Sequence, residues 1–150
     1  MLKSKPRESF LFFLIIAGVV ALLVLNNIRV TQVKNRDSTR KKDLATTQKF
    51  LENYYTTHKS YPRANSQGQV LACDEKESPC VWGEGKFPKD PMALLSYFYA
   101  TSTDGQKYHL LARIENTKDT EYSRGLEGNC GASCTYGVTS PGGNITETLK

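Results

Sequence analysis

Residues 10–25 are apolar, Gly or Ala at sixteen successive positions, and the run reaches Ile28 by crossing only Asn26 and Asn27. A helix needs roughly 20 such residues, within about 17 to 25, to cross a bilayer. The pattern therefore predicts a membrane-spanning segment over 10–28, preceded by a tail over 1–9. Two other readings compete. A cleaved signal peptide has a shorter apolar region and small residues at its cleavage site, whereas this run ends in VLNNIRV. A buried core helix that is apolar all round needs a large fold about it. Length and flanks favour a permanent anchor over both.

The periodicity then changes without a break. No Pro or Gly occurs from residue 30 to 58, and Leu44, Thr47, Leu51 and Tyr54, with Phe50 and Tyr55 beside them, recur at helical spacing. One continuous helix from about Phe10 to His58 is the economical reading, on the order of 70 Å long at 1.5 Å per residue. Its second half, 29–58, is amphipathic, with Lys41, Lys42 and Lys49 expected toward water. HKSYP ends it, because the residue before Pro62 is pushed out of the helical region. Residues 63–90 read as loop, with Gly68, Gly83, Gly85 and Pro88. In SYFYATSTDGQKYHLLARIEN two strand-like runs flank Asp104-Gly105, a hairpin signal. Tyr108, Leu110, Ala112 and Ile114 alternate with Lys107, His109, Leu111, Arg113 and Glu115, giving one apolar face and one mostly polar face. TYGVTS, 135–140, is the expected third strand. The fold class is thus α+β: a long N-terminal helix packed on a small antiparallel sheet within a loop-rich domain over 59–150. Its seam joins Leu44, Phe50, Leu51 and Tyr54 to Tyr108, Leu110 and Ile114.

Charge narrows the function classes. The chain carries a net +5, but residues 1–43 hold nine Lys/Arg against three Asp/Glu, and the remainder eleven against twelve. The basicity belongs to the membrane flanks, where cations meet anionic headgroups; no nucleic-acid partner is expected, because phosphate binding needs a concentrated basic face. Orientation is contested within the sequence. Lys3, Lys5 and Arg7 precede the span while Arg29, Lys34, Arg36, Arg40, Lys41 and Lys42 follow it, so a count of cations places the domain inside. Cys73, Cys80, Cys130 and Cys134 point the other way. They form an even set confined to the soluble part, as in an oxidising compartment. Zinc and free thiols are the rivals, and the C-x6-C and C-x3-C spacings do not match zinc knuckles. Local bridges, Cys73–Cys80 and Cys130–Cys134, are favoured because Pro79 and Gly131 help each loop turn back.

Four features in this order resemble the type IV pilin-like proteins, most closely the major, G-type pseudopilin of type II secretion systems: the apolar helix containing Gly18; the polar continuation RDSTRKKDLATTQKFLENYYTTHKSYP ending in Tyr61-Pro62; FPKDP at 87–91; and the hairpin at 96–116. The resemblance covers most of residues 10–116 and, loosely, YGVTSP. It implies a structural subunit, anchored once in the cytoplasmic membrane with its C-terminal domain outside the cytoplasm. The subunit joins a helical fibre through its N-terminal helix, with Glu8, Phe10, Gly18 and Leu25 along the assembly surface. Its partners would be pilin-like subunits or further copies, membrane lipid and the assembly machinery.

The chain departs from the family where processing occurs. Members carry Gly followed by an aromatic residue, cut by a prepilin peptidase, and then a Glu; here Ser4-Lys5 and Ser9 stand in those places, with Glu8 one residue away. That Glu pairs with a neighbour's amine in the family, since an unpaired carboxylate in lipid is costly. The expected mature chain therefore retains its tail, and a second reading stays open: a non-assembling, membrane-anchored ectodomain of the same fold that binds a partner or ligand. No cofactor is expected. Calcium is a candidate ligand on Asp104 and Asp119, with Glu115, Asn116 and Glu121 as further oxygen donors, although a solvated loop carries the same residue types.

An enzyme is not expected. His58 and His109 have no Cys, Ser or carboxylate at a catalytic spacing, and no phosphate loop, nucleophile elbow or H-E-x-x-H motif occurs. Trp82 reads as a plug under its Gly-rich loop. Asn144-Ile145-Thr146 matches a glycosylation sequon, a three-residue pattern that chance also produces.

Overall fold

The computed structural model describes residues 6–64, 68 and 87–149. Cys73, Cys80, Trp82, Gly83 and Gly85 lie outside the described residues, as does the side chain of Glu8. The order of elements is one helix, α1 (Pro6–His58), followed by five short strands: β1 (Phe98–Thr101), β2 (Tyr108–Ala112), β3 (Leu126–Asn129), β4 (Ser133–Cys134) and β5 (Tyr136–Thr139). The class is α+β. The chain divides into two compact units between Asn35 and Arg36, so α1 contributes one stretch to each.

α1 starts four residues before the apolar run, at Pro6, whose fixed φ and missing N–H suit a first helical turn. It ends where Lys59 takes φ +58° and donates its N–H to the Tyr55 carbonyl at 2.8 Å. This left-handed exit comes three residues before Pro62, earlier than the proline alone requires. Tyr61 is then buried, and Tyr99 Oη donates to the Pro62 carbonyl at 2.7 Å.

In the second unit β2 is the centre of a three-stranded antiparallel sheet of order β1-β2-β5. The register sets Tyr99 opposite Leu110, Leu110 opposite Val138 and Ala112 opposite Tyr136. These residues share one face with Tyr108, and that face meets the helix: Leu44 and Leu51 bury against Tyr99, Tyr108, Leu110 and Ile114, with Phe50 and Tyr55 packed at the margin. Tyr54, expected in this seam, is only half-buried and stacks on His58 with ring centroids 3.8 Å apart. Its neighbour Tyr55 packs against the core instead, because one residue advances the helix by about 100°.

The second face of β2 is not the solvated face its alternation suggests. All five β2 residues are buried, His109 and Leu111 included. β3 and β4, which the sequence does not signal, pair with each other, and Leu126, Cys130 and Cys134 enclose Leu111 together with Phe98 and Ile145. Cys130 and Cys134 form a disulfide with Cα atoms 5.4 Å apart, closing the β3–β4 turn. Gly131 within it has φ +78°, and a Cβ there would strike the Leu94 carbonyl, so this tight turn requires glycine. The β1–β2 connection is longer than a two-residue turn: Ser102 N–H donates to the Lys107 carbonyl at 2.9 Å across it. Gly105, at φ +66°, gives its carbonyl to the Tyr61 N–H at 2.8 Å and so ties the hairpin to the helix end.

Candidate functional site

Two arrangements carry chemistry, one in each unit. In the first, α1 is long and apolar enough to cross a membrane, and none of its most apolar stretch is buried. Phe10 is 64% exposed and Leu25 54% exposed. A Cβ placed on Gly18 would meet nothing within 4 Å. Such a surface is stable only in lipid or against another apolar surface, and a small residue lets helix backbones approach closely. At the polar end of the run, Thr31 Oγ1 donates to the Asn27 carbonyl at 2.9 Å, which solvates a hydroxyl that lipid would not.

In the second unit the helix carries Arg40, which is fully buried. Its guanidinium grips Asp90 with two bonds, Nε to Oδ2 at 2.7 Å and Nη2 to Oδ1 at 2.9 Å. Nη1 reaches Asp37 Oδ1 at 2.8 Å, one turn back on the helix, and Glu115 Oε1 at 2.7 Å. Arg36 adds two bonds to Glu115, both 2.7 Å. Asp37 in turn accepts the backbone N–H groups of Glu115 and Asn116, and Asp90 accepts that of Met92. Three chain segments, at 36–40, 90–92 and 115–116, are thereby pinned to one guanidinium. Among the described residues no buried side-chain nitrogen or oxygen lacks a partner, as a buried charge requires.

Burial works against the Arg40 cation, but the bonds from Asp90, Glu115 and Asp37 outweigh it and raise the pKa above the usual arginine value. The Arg36 bond, joined by that of Arg40 against some desolvation, holds Glu115 down at about 2. The unfolded Glu binds its proton near 4.5. Its contribution to stability is therefore complete above that pH and is lost as pH falls toward 2. In acid titrations of unfolding, Glu115→Gln is expected to flatten the loss of stability below pH 4.5, and a profile identical to the parent's would contradict the pairing.

The helix also anchors the sheet through polar bonds at the seam. Glu52 accepts from both Tyr61 Oη and Tyr108 Oη at 3.0 Å, and Asp43 accepts from Tyr97 Oη at 2.7 Å. Burial, followed by the adjacent carboxylates, raises the pKa of Tyr97 and Tyr108, so each phenol stays protonated and remains a donor.

The residues singled out from sequence are distributed as follows. Leu44, Leu51, Tyr108, Leu110 and Ile114 come together in one cluster with Phe50 at its edge. Phe10, Gly18 and Leu25 lie along the exposed apolar helix. The calcium candidates do not converge. Asp104 sits in the hairpin turn, accepting from Ser102 Oγ at 2.6 Å, while Asp119 and Glu121 bind Lys41 Nζ at 2.8 and 2.5 Å. Glu115 is taken by the arginines. An internal cation thus neutralises the acidic loop, and among the described residues no group of three or more His, Cys, Asp or Glu could hold a metal ion. Lys41, expected toward water, is drawn onto that loop and lies 5.4 Å from the Tyr136 ring centroid; Lys42 and Lys49 are exposed.

Sequence reasoning missed Arg40, Asp37 and Asp90. By charge alone Arg40 reads, with its neighbours, as a membrane-flank cation. A signal was present in Asp37 and Arg40, spaced i, i+3 on the side of α1 that carries Leu44 and Thr47. A charge on the apolar face of a helix implies a buried partner. No family model matches the chain, and comparisons with curated proteins and with solved structures return no match.

Proposed function

We propose that the protein is a pilin-like structural subunit of a secretion or pilus-type fibre, anchored once in the membrane, with the second unit outside the cytoplasm. The observation that carries this reading is a single helix used twice. Its first stretch is apolar on every side with nothing buried, and its second stretch supplies the core and the ion-pair hub of a folded α+β unit. A subunit of a helical bundle uses both stretches, the apolar one against its neighbours and the second as the scaffold of its domain.

One finding supports the orientation: the Cys130–Cys134 bridge suits an oxidising compartment.

The test is a photo-crosslinking residue placed at Leu25 in the full-length chain in its native membranes, with Lys49 as an exposed control. An assembling subunit gives a ladder at multiples of 16.8 kDa from Leu25. A single heterologous adduct, or monomer alone, would overturn fibre assembly in favour of a non-assembling anchored ectodomain.

A further inference from the structure

The Asn144-Ile145-Thr146 triplet is the chain's only N-x-Ser/Thr sequence, since no other Asn has Ser or Thr two positions on. It sits in a turn after β5. Ile145 is half-buried and packs with Leu111, Leu126, Cys130 and Cys134, while Asn144 and Thr146 on either side of it are exposed. The Asn144 carbonyl accepts the Glu147 N–H at 2.9 Å and lies 3.1 Å from His109 Nε2. Thr146 directs both of its donors at one atom: its N–H and its Oγ1 reach Asn144 Oδ1 at 3.1 and 3.0 Å. The apolar middle residue thus anchors the turn and the two polar side chains are coupled on its exposed side, through Oδ1 and not through the amide nitrogen Nδ2.

We propose that Asn144 is an N-glycosylation acceptor whose co-substrate is an oligosaccharide carried on a polyprenyl diphosphate, transferred by a membrane-bound oligosaccharyltransferase. An amide nitrogen is a weak nucleophile because its lone pair is delocalised into the carbonyl. Donors on Oδ1 draw electron density from the carboxamide and acidify the Nδ2 protons. In the transfer, Nδ2 bonds to the sugar's anomeric carbon as the bond from that carbon to the diphosphate oxygen breaks. The diphosphate leaves with the electron pair, and a carboxylate of the transferase takes the Nδ2 proton. The Thr146 hydroxyl is a positioning group in this step, and Ser can replace it in the sequon. Such donors are consumed on the non-cytoplasmic side of a membrane, so the proposal rests on the orientation given under Proposed function.

The test uses the full-length chain purified from the membranes of the cells that make it. Trypsin releases residues 125–150 as one peptide, because no Lys or Arg lies between Arg124 and Lys150. The expected result is a sugar-bearing form of this peptide with fragment ions placing the glycan on Asn144, absent in Thr146→Ala and retained at reduced occupancy in Thr146→Ser. Persistence of the Cys130–Cys134 bridge in both variants excludes misfolding as the cause. A membrane-impermeant amine reagent on spheroplasts, reading the exposed Lys42 and Lys49, reports sidedness in the same preparation. Unmodified Asn144 in a chain labelled from outside overturns the glycosylation site alone. Unmodified Asn144 in a chain labelled only after lysis overturns both the site and the orientation. A glycan that survives Thr146→Ala lies elsewhere and also overturns the site.

Discussion

Arg40→Ala is expected to destabilise the second unit by about 3 to 5 kcal/mol, the cost of removing one partner from a buried ion-pair network and leaving the other charges uncompensated. Asp90 is the group left worst off, because its carboxylate is fully buried and receives two of the four bonds. A loss of that size is a large part of the 5 to 15 kcal/mol by which domains are usually stable. Arg40→Lys is expected to recover only part of it, since one ammonium cannot reproduce a planar fork that meets three carboxylates at once. Asp90→Ala combined with Arg40→Ala should cost well under the sum of the two single changes, as coupled residues do. Urea unfolding of the full chain in detergent, followed by near-ultraviolet circular dichroism, checks all four variants, Asp90→Ala alone included. A loss below about 1 kcal/mol for Arg40→Ala, the range of exposed pairs, would mean that the hub does not hold the loops.

Leu51→Ala carries the second large expected effect, about 2 to 5 kcal/mol, from lost burial and the cavity left behind. Leu51 is fully buried between the helix and the Tyr99, Tyr108 and Leu110 face. The rings that surround it are themselves held by bonds to Glu52 and Pro62, so collapse into the void is hindered. Leu25→Ala is the contrast, because Leu25 lies in the exposed apolar stretch of the first unit; it should leave the melting of the second unit unchanged. Equal effects from the two substitutions would contradict the division of labour along α1.

What the sequence made legible follows from period. The switch from an unbroken apolar run to a 3.6-residue stripe set out α1, with Leu44, Thr47 and Leu51 all buried, and the period of two in β2 set out the face that meets it. The period of two misled for the opposite face. His109 and Leu111 alternate with apolar residues as a solvated face would, yet β3, β4 and the turn at Ile145 cover them. β3 and β4, with Gly128, Asn129, Gly131 and Ser133 in or between them, have neither length nor β-branched residues to announce a strand. They are ordered by the Cys130–Cys134 bridge and by packing on Leu111. The hub was hidden for a different reason. Arg40 and Asp90 are 50 residues apart, and a count of charges along a chain does not say which of them meet. In KKD and RDSTRKK, lysine and arginine look alike as flank cations, and only the fold separates Arg40, which is buried, from Lys42, which is exposed.

One helix with two duties is the centre of this account, and hydrogen exchange of the full-length chain in lipid nanodiscs tests it most directly. The account predicts protection over 10–28 that is lost when lipid is replaced by a weak detergent. It predicts protection over 37–51 that is independent of lipid and as deep as that of Tyr108–Ala112, because those amides open only when the second unit unfolds. Amides at 37–51 exchanging as in a free helix, while Tyr108–Ala112 stays protected, would contradict it.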